Sequence, residues 1–392
     1  MKIRDEVEIA VSGWDAYERT RSSPPIIDYD CRPDIPDVEP VGRLATYEHL
    51  QRLAVAATEA RDAALQRRIG AHIAYLRGLL GERLPLDEYV RTTQGCPAAG
   101  WPPDYVTERG QVAQAAIAEL GIGWGPGTEN DLNQAEGLVD LADVPDQMRE
   151  LAAKLEQPTR EVTGARAPFT LDIETVDIDD YWSYWLDGAQ DTARVRINLR
   201  NARFTEVRLR EIVLHEVMGH ALQGASYADI CANEDVPWVR LLSVHAQQQV
   251  LLEGLAQALP LFVCPDDQPL MARTRLAHYL QLVRAELHLA INDGAPVAAC
   301  VEHARQRAPF WTDEQIGDIL TDRGANVLLR SYLWSYPAGI DWFTNLADNG
   351  DRQTVTEVLH AAYQRPLCPE DLSELWPSGP PIGGWSGPTR LP

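Results

Sequence analysis

The segment HEVMGH, residues 215–220, brings two imidazoles and a carboxylate into one short stretch of chain. Neutral imidazole nitrogens bind Zn²⁺ and related divalent ions, and a carboxylate beside such an ion can take a proton from water. In the helical zinc motif H-E-x-x-H the histidines are four apart, about 40° around the helix, and share one face. His215 and His220 are five apart, a divergence of roughly 140° on a regular α-helix that would keep them from sharing an ion. One extra residue in a single turn, a π-bulge, restores the common face, and such bulges concentrate at functional sites. Gly219, directly before the second histidine, is where the backbone would tolerate that distortion. Glu216 then stands beside the ion as general base.

A catalytic zinc site takes three protein ligands and keeps a fourth position open. Glu253 is the candidate third ligand. It lies in VHAQQQVLLEGLAQALPLF, within a strongly helical segment beginning near Val239, and a carboxylate inside such an apolar stretch is costly unless it is paired or bound to metal. His245, eight residues earlier, falls about 80° around that helix and is either a supporting group or an alternative third ligand. Further along, Tyr332 and Tyr336 are four apart, and one of them, helped by Arg330, is placed to stabilise an oxyanion. Pro337 limits helix there and fits a loop edging a pocket. His278 and His288 sit in a helical stretch and read as structural. The aromatic run WSYW, 182–185, either walls a cleft or packs in the core.

The elements that must position these groups are mostly helical. Residues 1–40 contain SSPPIIDYDCRPDIPDVEP, too rich in proline for helix and expected to run as an extended strap over the surface. Apolar residues then recur at three and four spacings from about 44 to 82, with further helical stretches near 105–120 and 130–156. FTLDIETVDI and ARVRINL alternate apolar and polar residues and predict a small strand pair flanking an aromatic turn region. Thr205 opens the helix that carries the histidines, with Glu206 in its first turn. The fold class expected is mainly α with a small β element beside the active-site helix. A helical lobe over 1–165 and a catalytic lobe over 166–392 are expected, or one continuous domain.

HEVMGHALQ (215–223) and EGLA (253–256) carry a resemblance. The first is similar to the H-E-x-x-G-H variant of dipeptidyl peptidase III, which takes its third ligand from a glutamate on a later helix. Together they resemble the bacterial metallopeptidase-like proteins of domain of unknown function 885, whose pattern is H-E-x-x-P-G-H-H-x-Q followed by E-G-W-A. Here the proline is absent and the second of the paired histidines is Ala221. LLRSYLWSYPAGIDWF (328–343) is collinear with that family's arginine- and tyrosine-bearing segment. The likeness covers roughly 190–376. It implies a helical gluzincin fold, His215, His220 and Glu253 as metal ligands, Glu216 as general base, and Arg330, Tyr332 and Tyr336 facing substrate.

Composition bounds the rest. The 392 residues are 45% hydrophobic and 24% charged, ordinary for a globular protein. A formal charge of -23 repels phosphate backbones and anionic membranes, which argues against nucleic-acid or membrane partners. No apolar run spans a bilayer and the charged N-terminal residues do not suit a signal peptide, so a cytosolic protein is expected. Six scattered cysteines without a C-x-x-C pair read as core thiols. The function expected is zinc-dependent hydrolysis of a peptide or amide bond in a small substrate, with one Zn²⁺ or another divalent ion. Iron-type chemistry on a small metabolite and a retired catalyst serving as scaffold are the alternatives.

Overall fold

The structure, a computed structural model, describes residues 2–179, 183–200 and 202–385. It is mainly α-helical with one small five-stranded sheet. Among the described residues, no helix is long and apolar enough to cross a membrane.

Four helices come first: α1 (Ile3–Thr20), α2 (Arg43–Glu59), α3 (Ala63–Leu79) and α4 (Leu86–Gln94). Their apolar stripes close on a core of their own around Val11, Trp14, Leu50, Ile69 and Leu76, as amphipathic helices must to bury one face. The next three, α5 (Pro103–Glu119), α6 (Thr128–Glu136) and α7 (Val144–Thr163), pack instead into the main core. That core continues through the C-terminal half to Ile382, so the division expected at 165 falls inside one continuous body of buried side chains.

The sheet contains β1 (Tyr29–Asp30), β2 (Thr170–Val176), β3 (Tyr184–Ala189), β4 (Thr192–Asn198) and β5 (Leu241–Leu242), in the order β2-β4-β3-β1-β5. β4 alternates as its sequence predicts, with Ala193, Val195 and Ile197 buried. Two expectations are corrected here. The aromatic turn region holds β3, which pairs antiparallel with β4 through a tight turn where Gln190 adopts a φ of 56°. The strap does not lie over the surface: Tyr29 pairs with Gly188 on one side and Leu242 on the other, so the N-terminal segment is an internal strand. Because β4 has β2 and β3 on its two sides, no edge is left on it for a peptide to pair with.

After the sheet come α8 (Glu206–Ile212), a π-helical stretch (Val213–Ala221) and α9 (Leu222–Asn233), one continuous rod. The Thr205 hydroxyl caps it by accepting from the Arg208 amide at 3.1 Å. Then follow α10 (Gln249–Val263), α11 (Gln268–Asn292), α12 (Val297–Arg307), α13 (Asp313–Gly324), α14 (Leu329–Tyr332), α15 (Ser335–Asn349), α16 (Arg352–Ala362) and α17 (Pro369–Leu375). Pro337 does not limit helix, as expected from sequence; it occupies the first turn of α15, where a proline lacks nothing because the early amides have no intrahelical acceptor.

Candidate metal centre

The five-residue spacing is absorbed by the π-helical stretch, which carries both histidines and Glu216. The wider turn rotates His220 back toward His215, and their Nε2 atoms stand 3.1 Å apart. Glu253 arrives from α10, with its Oε2 3.4 Å from His215 Nε2 and its Oε1 3.7 Å from His220 Nε2. Ligand atoms ~2.0–2.1 Å from a tetrahedral Zn²⁺ are separated from one another by roughly 3.3–3.4 Å. The three observed separations bracket that value. The fit is chemical as well: Glu253 is buried, and its Oε2 makes no aligned hydrogen bond, a costly state for a carboxylate unless a cation satisfies it.

Small residues let these helices approach. A Cβ on Gly219 would stand 2.8 Å from Ala256 Cβ, and one on Gly254 would stand 2.3 Å from the Cα of Gly339 on α15. Gly219 therefore serves contact with α10. The pattern E-G-x-A places Gly254 and Ala256 on the faces where α10 meets α15 and the π-helical stretch.

Electrostatics ties the group together. Burial works against the His215 cation, but the adjoining Glu253 and Glu216 carboxylates outweigh it and push the imidazole up to about 9. Burial likewise works against the Glu253 anion, yet His220 and His215 hold it well below the usual carboxylate range. The Tyr332 hydroxyl donates to Glu253 Oε1 at 2.5 Å and lies 2.8 Å from the Tyr336 hydroxyl. Burial and the Glu253 charge push both phenols well above their ordinary value, so they stay protonated donors. Glu216 is buried with its Oε1 3.8 Å from His215 Nε2, and no hydrogen bond occupies its carboxylate among the described residues.

All six of these side chains line one cavity of about 360 Å³. Its far wall includes Pro24, Pro25, Asp28 and Tyr29 from the strap, and Tyr184 and Trp185 from β3 supply aromatic surface. Trp182 of the same aromatic run lies outside the described residues. The strap's part in the cavity was missed from sequence; its proline pair and aromatic-acidic run marked it as extended but could not say what it covers.

Other candidates lie elsewhere. Arg330 is buried away from the cavity, donating to Asn292 Oδ1 at 2.6 Å and the Leu84 carbonyl at 2.8 Å; on the four-residue α14 its side chain leaves on a different side from Tyr332, which corrects its expected place against substrate. His245 precedes α10, which begins only at Gln249, and contacts His72 with His245 Nε2 2.8 Å from His72 Nδ1. It is neither a ligand nor a support of one. His278 is structural, with Nε2 2.8 Å from the buried Asp341 Oδ1, and His288 is buried against Trp334.

Comparisons place the fold without naming the chemistry. No protein-family model matches the chain, and no curated protein does. Among solved structures it is similar to "the putative lipoprotein from Colwellia psychrerythraea", with a TM-score of 0.53 and 12% identity over 86% of this chain and 64% of that one. The chain thus spans 64% of that protein's length, and at such identity the likeness is one of fold.

Proposed function

We propose that this chain is a zinc-dependent hydrolase of peptide or amide bonds, of the gluzincin kind that its motifs resemble. The observation that carries the reading is the His215–His220–Glu253 triangle with the free Glu216 carboxylate beside it in a walled cavity. A divalent ion held by those three ligands supplies Lewis acidity toward a carbonyl and toward water. Glu216, without a hydrogen bond to hold it, takes the proton from the attacking water and returns it to the leaving nitrogen. Tyr336, whose phenol faces the cavity, donates a hydrogen bond to the carbonyl oxygen as negative charge develops there. Tyr332 fixes the Glu253 carboxylate in place, the role that outer partners of metal ligands commonly have. A cytosolic location is part of the reading, supported by six cysteines that are all free thiols.

Elemental analysis of the purified protein and of His220→Ala tests it, followed by a screen of acyl amides and short peptides against the wild type and Glu216→Gln. One equivalent of zinc lost in His220→Ala, with hydrolysis lost in Glu216→Gln, is the expected result. Iron in place of zinc, or hydrolysis that survives Glu216→Gln, would overturn it.

A further inference from the structure

Near the cavity most buried cations are matched with carboxylates. Arg273 donates to Glu136 Oε1 at 2.5 Å and Arg208 to Glu129 Oε1 at 2.8 Å. Two arginines break the pattern. Arg323, near the end of α13, is 5% exposed, and among the described residues no hydrogen bond or ion pair reaches its guanidinium. Arg284, on α11, has its guanidinium carbon 5.3 Å from the Trp311 ring centre and likewise has no hydrogen-bond or carboxylate partner among the described residues. None of their unpartnered nitrogens is sealed in packed protein, so these N–H groups reach open space.

The two lie within electrostatic reach of each other, and Arg323 also feels Tyr336. Burial and then the neighbouring positive charge push Arg284 down to about 10 and Arg323 to about 9, with Arg208 the cation acting on Arg284. Asp322, which lines the cavity, eases Arg323 electrostatically but forms no ion pair with it. A buried guanidinium without a counter-charge is an expensive feature to keep, and two side by side are a standing invitation to an anion.

We infer that Arg284 and Arg323 form a subsite for the carboxylate of the substrate, beside Tyr336 and the metal centre. This rests on the proposed hydrolase and narrows it: the amide cleaved belongs to a molecule carrying a free carboxylate close by, an N-acyl amino acid or the C-terminal end of a short peptide. A planar guanidinium fork matches a carboxylate in two hydrogen bonds. The chain's formal charge of -23 repels anions at long range, so selection for one depends on this local pair.

The test titrates N-benzoylglycine and its carboxamide into the zinc-loaded wild type, Arg284→Gln, Arg323→Gln and Arg323→Lys, with zinc content and melting temperature measured for each. The acid is expected to bind the wild type at least tenfold more tightly than the amide. In both glutamine variants that ratio should fall toward one with zinc retained, and Arg323→Lys should keep part of it. Equal binding of acid and amide, no binding of either, a ratio that survives both glutamine variants, or stronger binding of inorganic phosphate than of the acid would each overturn the carboxylate subsite. Absence of zinc alongside an intact acid preference would sink the hydrolase reading and leave the subsite standing.

Discussion

Two histidine pairs lie in this molecule, and their contrast shows what turns imidazoles into ligands. His215 and His220 face each other across 3.1 Å with Glu253 and Glu216 at hand. His72 and His245 are closer, at 2.8 Å, but stack among Tyr75 and Trp14, and their outward nitrogens, His72 Nε2 and His245 Nδ1, have no partner. In the first pair the carboxylates win over burial and the His215 imidazole rises to about 9. In the second, burial and then Arg68 push both rings well below 6.5. An ion placed between His72 and His245 would add positive charge beside Arg68 with no anion to offset it. Proximity of imidazoles is therefore not what makes a site; the carboxylate is.

The contrast can be broken most directly by removing that carboxylate's charge. Glu253→Gln should reduce bound zinc from one equivalent to about a tenth or less, whereas His245→Ala should leave it unchanged; the metal content of the two purified variants decides, and equal losses would erase the distinction. Glu216→Gln should keep the ion and lower kcat by roughly 10²–10⁴-fold, the usual contribution of a general base; steady-state rates on a cleaved amide measure it. Removing the Tyr332 hydroxyl with Tyr332→Phe should weaken zinc affinity by about 10–100-fold, read by competition with a chelator, as expected for a group that orients a ligand.

The smallest effect is on pH. His215 titrates at about 9 in the metal-free chain, so zinc must displace a proton and its affinity should rise roughly tenfold per pH unit toward that value before levelling. Calorimetry near pH 7 in buffers of different ionisation enthalpy should show about one proton released for each ion bound. In the metal-free protein the same shift has the opposite use. The folded pKa lies above the unfolded value of 6.5, so the stabilisation is complete below 6.5 and drains away as pH rises through about 9. A melting temperature that instead climbs across this range would contradict the assignment. His72 and His245, held neutral, contribute nothing to it.

What the sequence disclosed follows the range of the forces involved. The π-helical stretch was legible because the spacing of His215 and His220 admits few shared-face solutions, and Glu253 because an acid in so apolar a helix needs a reason. β1 and β5 were illegible: two residues each, they are strands only because β3 lies beside them, which no local pattern announces. β3 was hidden by its own composition, since YWLDGA has neither clean alternation nor a continuous apolar run. Arg330 was misplaced for a similar reason. Its type suited an oxyanion, but its direction depends on where α14 ends against Leu84 and Asn292. Arg284 and Arg323 passed unremarked because a missing partner is visible only in three dimensions.

The strap adds a consequence in time. Tyr29 and Asp30 are made early, yet their strand partners are residues 188–189 and 241–242, so during synthesis they wait for well over half the chain before they can pair. Loops that long close slowly. The wall of the cavity that faces the metal ligands should therefore be among the last parts of the molecule to settle, after the helices bearing those ligands have already met.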